Sequence, residues 1–220
     1  MSYLVVVLAA AISSLAVTLY WLLVRPWHLR WGATDEEVNQ SLPGDELSAS
    51  QPKLNATHAI TINAGVGEIW PWLVQMGQNR GGFYSYTWLE NLVGCQMRNA
   101  DRIVPEWQGL EVGDNVRLHP KAPPLKVLMT EPGRSIVLER IWAFHLRAVD
   151  ARTTRLIIRG RGDYNPAWEN PLLNFLVWRM IFEPAHFIME RKMLLGIKSR
   201  AESAARSRKD QPGANLAAVH

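Results

Sequence analysis

The chain has 220 residues, enough for one domain with a real core plus an appendage. Its 24 Lys and Arg against 20 Asp and Glu leave a formal charge of only +4, and no aromatic-interleaved basic groove accompanies them, so nucleic acid is not an expected partner. Cys95 is the single cysteine, which excludes an intramolecular disulfide and a cysteine-based zinc cluster and reads as a small buried apolar residue.

From Tyr3 to Val24 the sequence runs YLVVVLAAAISSLAVTLYWLLV without a charge. About 22 helical residues at roughly 1.5 Å each reach across a hydrocarbon layer of roughly 30 Å. Tyr3 lies at one end and Tyr20, Trp21, Trp27 and Trp31 at the other, where amphipathic rings meet headgroups. A cleaved signal peptide would carry positive charge before the apolar run and a small-residue cleavage site after it, so residues 1–26 read as an uncleaved single-pass anchor. Arg25 and Arg30 follow the span and no Lys or Arg precedes it, which points the C-terminal bulk toward the cytoplasm.

Residues 27–56 shift to Pro, Gly, Ser and acidic side chains and read as a juxtamembrane linker too poor in apolar area for a core of its own. Within it Thr34-Asp35-Glu36-Glu37 has capping-box spacing, which predicts a short helix. Asn55-Ala56-Thr57 matches a glycosylation sequon that a cytoplasmic placement would leave silent.

The folded domain is expected over 57–205. Residues 57–63 alternate and are β-branched, predicting a first strand. A helix over about 68–76 follows, tolerating Pro71 in its first turn, and a glycine-rich joint at Gly77, Gly81 and Gly82 separates it from a second short helix over 85–93. An ordered loop leads into strands at about 115–119, 126–130, 135–140, 141–149 and 153–160, joined by turn-like Glu131-Pro132-Gly133 and Asp150-Ala151-Arg152.

Helical spacing returns over 171–182 and 184–205, where Ala185, Met189, Met193 and Ile197 recur on one face, opposite Glu190, Arg191 and Lys198. Arg179, Glu183 and Pro184 interrupt the apolar run and argue against a second span, although 168–182 has the composition to dip into an interface. Residues 206–220 read as a disordered tail.

Strand, two helices, meandering antiparallel sheet and one long terminal helix is an element order that resembles the START-like helix-grip superfamily, also called SRPBCC or polyketide cyclase-like. The passage Ala59-Ile60-Thr61-Ile62-Asn63-Ala64 through Glu68-Ile69-Trp70-Pro71-Trp72-Leu73 is similar to that family's opening, and Glu131-Pro132-Gly133-Arg134 and Met189 to Lys198 fit its turn and its terminal helix. The segment from about Trp27 to Glu202 resembles the membrane-anchored bacterial members. The resemblance implies an α+β helix-grip fold, a curved antiparallel sheet around a long C-terminal helix, preceded here by one N-terminal transmembrane helix. It also implies an apolar cavity for a hydrophobic or lipid-like small molecule.

Trp72, Tyr84, Tyr86, Trp88, Trp142, Phe144, Met189 and Met193 are the candidate ligand-binding residues, with helix packing as the plainer reading of Tyr84, Tyr86 and Trp88. Along 141–147, Trp142, Phe144 and Leu146 form the more apolar strand face and so the better candidate for the interior. The six histidines show no metal-ligand spacing, no cofactor is implied, and no residue stands out as catalytic. Arg155, Arg159 and Arg161 share one strand face, read as solvated or as facing anionic headgroups. Three functions fit: a membrane-tethered binding protein, a cyclase- or dehydratase-type enzyme using the same cavity, or a partner-binding protein with a filled interior. The sequence leaves the oligomeric state open.

Overall fold

The computed structural model describes residues 2–47, 52, 54–139, 142–162 and 170–210. Ile141, Trp168 and residues 211–220, all named above, lie outside them.

A continuous N-terminal helix comprises α1 (Ser2–Leu19), a widened π-helical turn (Tyr20–Val24) and α2 (Arg25–Leu29). The 27 residues Tyr3–Leu29 are long and apolar enough to cross a membrane, and the most apolar stretch of them is unburied, while His28 near its end packs into the domain. The widening has a local cause: Pro26 has no N–H to give, and the preceding Arg25 N–H reaches back five residues to the Tyr20 carbonyl.

Six strands form one antiparallel sheet: β1 (Leu54–Ile62), β2 (Asn115–Val116), β3 (Leu125–Glu131), β4 (Ser135–Leu138), β5 (Trp142–Asp150) and β6 (Thr153–Gly162), in the spatial order β1-β6-β5-β4-β3-β2. The first strand therefore closes against the last one, and everything between β1 and β2 must cross one face of the sheet. That crossing contains α4 (Val66–Val74) and α5 (Thr87–Leu92), and the same face receives the terminal helix α7 (Glu183–Asp210). This is the α+β helix-grip arrangement expected above. The terminal helix continues through Asp210, past the expected end at 205, because 201–210 is alanine-rich and contains neither Gly nor Pro.

The grip is hydrophobic at its centre. Met193, Leu194, Ile197 and Ala201 of α7 pack with Ile69, Trp72 and Leu73 of α4 and with Phe144, Leu146, Leu156 and Ile158 of the sheet. The apolar set of β5 thus faces inward. Gly196 allows the closest approach, since a Cβ there would stand 2.4 Å from the Tyr84 carbonyl oxygen.

The other sheet face departs from expectation. Residues 31–47, read as linker, lie against it as a strap that carries α3 (Asp35–Asn39), whose capping box between Thr34 and Glu37 forms as predicted. Glu37 is fully buried and receives both Nε and Nη2 of Arg155 at 2.8 Å, with Arg147 at 3.2 Å. Arg159 is fully buried too, donating to Asp45 at 2.5 Å and to the carbonyls of Glu37, Val38 and Gln40. Arg155 and Arg159 face neither solvent nor headgroups, Arg161 pairs with Asp45 at 3.2 Å, and only Arg147 of this group stays exposed. Strap carboxylates and carbonyls neutralise them, which is how a segment poor in apolar residues still docks.

Glu190 is a second departure. Placed on the polar face of α7 by its spacing, it is instead buried, because His58 on β1 meets it at 2.8 Å. His58 Nε2 in turn lies 2.7 Å from the His28 carbonyl oxygen. Both ring nitrogens face oxygen acceptors, an arrangement that favours the doubly protonated ring and raises the His58 pKa against its burial.

Candidate functional site

A cavity of about 200 Å³ lies between α7, the sheet and the α4–α5 crossing. Phe83, Met97, Leu118, Trp142, Met189 and Met193 give it apolar walls, and Ser85, Glu90, Cys95, His186 and Glu190 supply the polar atoms. The part-exposed members, Cys95, Leu118, Trp142, Met189 and His186, mark its mouth.

The joint between α4 and α5 sets the near wall. Gly82 has φ +72° and a Cβ there would stand 2.4 Å from the Arg98 carbonyl oxygen, so the chain turns tightly there. Tyr84 is in the left-handed region at φ 57°, rare for a bulky residue, and Asn99 holds it by accepting from the Tyr84 N–H at 2.7 Å and donating to the Ser85 carbonyl at 2.9 Å. The reversal brings Phe83 and Ser85 to the cavity wall while Tyr84 turns the other way. Ser85 Oγ donates to the Met189 carbonyl at 2.8 Å, tying this wall to α7.

Of the eight candidate residues, Trp142, Met189 and Met193 line the cavity. Phe144 lies directly behind Trp142, ring centroids 5.0 Å apart, in the core. Trp72 and Tyr84 pack edge to face against each other at 5.7 Å, beneath the Arg200 guanidinium, and the Tyr84 hydroxyl donates to the Trp72 carbonyl at 2.9 Å. They hold α4 to α7 and do not line the cavity. Tyr86 is half-buried under Lys192, and Trp88 is 68% exposed on the outer side of α5. Helix packing thus accounts for Trp72 and Tyr84, and Trp88 faces away from the interior.

Glu90, Glu190, His186, Phe83 and Met97 were not singled out from sequence. Glu190 is held below the ordinary carboxylate range despite a burial that opposes ionisation, because the His58 charge and hydrogen bond, with His186, outweigh it. Glu90 is the opposite case: burial pushes its carboxyl up, and its Oε2 has no hydrogen-bond partner. Burial, then the nearby Glu90, also raises the Cys95 thiol, which leaves it a poor nucleophile. Among the described residues no group of three or more His, Cys, Asp or Glu side chains could hold a metal ion.

A wider, open depression of about 760 Å³ lies on the other side of Met97, lined by Asn79, Arg80, Asn91, Gln96, Arg98 and Trp107. Its polar groups are largely used internally: Arg80 donates to the Trp107 carbonyl and Asn91 to the Met97 carbonyl.

No protein-family model matches the sequence, and no curated protein matches it. Among solved structures, the Aha1 dimer of Colwellia psychrerythraea is similar at 17% identity over 67% of this chain and 96% of that one, with a TM-score of 0.37. A polyketide-cyclase-like protein of Corynebacterium glutamicum is similar at 13% identity over 77% and 99%, TM-score 0.32. A conserved protein of unknown function from Enterococcus faecalis is similar at 10% identity over 72% and 86%, TM-score 0.34. The sheet order and gripping helix described above define this chain as an α+β helix-grip protein.

Proposed function

We propose that the protein is a membrane-tethered binding module that takes a hydrophobic or lipid-like molecule into the α7 cavity. The observation that carries this reading is the apolar chamber itself, with Met189 and Met193 facing Trp142 and Phe83 across open space. Its volume of about 200 Å³ is below the roughly 300–1,000 Å³ of common ligand pockets, so it suits a small molecule or one end of a longer amphiphile.

The tether supports a lipid source. The Trp21 and Phe175 rings stack at 5.4 Å and 10°, and Tyr20 donates to the Arg179 carbonyl, so α6 (Pro171–Leu176) and the π-helical turn Val177–Phe182 lie beside the end of the apolar N-terminal helix. Leu172, Leu173, Phe175, Leu176, Ile181 and Phe182 stay 45–66% exposed there, the pattern of a segment whose solvent is lipid. His186, at the cavity mouth, follows Phe182 by about one helical turn. The span sits in a bacterial inner membrane, with Arg25 and Arg30 on the domain side favouring a cytoplasmic domain.

Native mass spectrometry of the detergent-extracted full chain tests this reading. The expected result is a co-purifying apolar molecule that is lost on replacing Met193 with Trp to fill the chamber. Extraction without any ligand, together with no uptake of added apolar molecules, overturns it. A specific observation keeps an enzyme in view: Glu90 and Glu190 share one chamber with opposite protonation tendencies, the arrangement of an acid and a base. Chemical conversion of the bound molecule on incubation favours that second reading.

A further inference from the structure

Four glutamates are buried among the described residues: Glu37, Glu90, Glu183 and Glu190. Three have cationic partners, Glu37 with Arg155 and Arg147, Glu183 with Arg25 and Arg179, Glu190 with His58. Glu90 has none. It is 8% exposed, stands on the cavity wall, and keeps Oε2 buried without a hydrogen bond. Leaving such a group unsatisfied works against folding, and the neighbours do not relieve it, since Ser85 Oγ is committed to Met189.

We propose that the Glu90 carboxyl is the polar anchor of the cavity, hydrogen bonding to the hydroxyl or carbonyl oxygen of an uncharged, otherwise apolar ligand. This rests on the cavity being a binding site and names the class of molecule it takes. Three observations select that class. The lining contains no Lys or Arg to receive an anionic head, and its one histidine, His186, already lies 3.5 Å from Glu190, so a fatty-acid carboxylate would meet Glu90 and Glu190 without a counter-charge of its own. Burial raises the Glu90 carboxyl, which disfavours the charged form at this wall and favours a hydrogen-bonding partner over an ionic one. The remaining walls, Phe83, Met97, Leu118, Met189 and Met193, are apolar and match a hydrocarbon body.

The test uses the full chain in lipid nanodiscs, labelled at its methionine methyls, because Met97, Met189 and Met193 report from inside the chamber. At neutral pH it is titrated with four probes of equal chain length: 1-decanol, 2-decanone, decanoate and decylamine. Decanol and decanone are expected to shift those three signals at concentrations at least tenfold below decanoate and decylamine. Glu90→Leu is expected to weaken decanol tenfold while raising the melting temperature, and Glu90→Gln, which keeps a donor, to stay within about threefold of the parent. Equal binding of decanol by Glu90→Leu, or a preference for decanoate or decylamine, overturns the inference and leaves the apolar cavity standing. Failure of all four probes to shift the signals overturns both.

Discussion

Arg25 and Glu183 form an ion pair at 3.1 Å, and each of them closes a turn of i→i+5 spacing immediately before a proline, Pro26 in one helix and Pro184 in the other. The two long helices are thus widened at the same level and joined there. Glu183 is 2% exposed and also receives Arg179 at 3.1 Å, so the charges that interrupt the apolar run at 179–183 neutralise one another. Below this joint the paired helices expose apolar side chains; above it α7 enters the domain core.

Replacing Glu183 with Ala leaves two arginines facing each other without a counter-charge, at the point where the apolar N-terminal helix meets the domain. Loss of a buried partner of this kind costs about 3 kcal/mol. Thermal unfolding of the detergent-extracted protein should show it, and the Arg25→Met, Glu183→Leu pair should recover most of the loss. Recovery failing in the double variant would place the strain elsewhere.

The lipid contact proposed for 172–182 predicts a graded response to charge. Leu172→Asp and Ile181→Asp, at positions 66% and 61% exposed, should leave the helix-grip domain folded yet increase protease access to this segment in vesicles. An aspartate in the hydrocarbon costs roughly 2.5–3.5 kcal/mol at depth and less near the surface, so the variant whose side chain sits deeper should respond more. Identical protease patterns for parent and both variants would show the segment facing water.

His145, on β5 beneath the strap, predicts acid sensitivity. Burial, then the Arg159 charge, pull its pKa down to about 4, with Asp45 partly opposing. Above pH 6.5 the imidazole is neutral in both states and contributes nothing. As pH falls from there, the unfolded chain takes up a proton that the folded one refuses, and stability drops by about 3 kcal/mol by the time pH reaches 4. Denaturant titrations near neutrality and near pH 4.5 should show this drop shrinking by about 2–3 kcal/mol in His145→Leu relative to the parent.

The parts of this architecture legible from sequence are those whose signal is local. An uncharged apolar run, the strand signals of β1 and β5, and the Thr34–Glu37 capping box each lie within a short window, and the helix, the strands and the cap form. β1 nevertheless starts at Leu54, inside the stretch read as linker, and the strap buries both faces of much of it, so that burial does not alternate. The strap and the site's polar groups depend on partners far along the chain. Glu37 meets Arg155 and Glu190 meets His58 more than a hundred residues away, so periodicity alone places both glutamates in water. The aromatic joint shows the same limit: Tyr84 and Trp88 are near neighbours in sequence, yet a left-handed Tyr84 sends one ring into the core and α5 carries the other outward.

The His58–Glu190 pair gives the sharpest pH signature. Burial opposes the charged imidazole, but the Glu190 charge and hydrogen bond and the His28 carbonyl overcome it, so the His58 pKa lies above 6.5. Glu190 lies below 4.5 for the matching reason. A raised histidine contributes fully below 6.5 and loses its contribution as pH rises through the folded value; a lowered carboxylate contributes fully above 4.5 and loses it as pH falls through its own. Their joint contribution is therefore complete between about pH 4.5 and 6.5 and declines on both sides. In Glu190→Gln the desolvation that Glu190 had been offsetting prevails, and the His58 pKa should fall below 6.5, readable by NMR titration of its ring protons. The destabilisation should be about 3 kcal/mol near pH 5.5 and clearly smaller near pH 9. A loss equal at both values would mean that Glu190 holds α7 to β1 through shape alone.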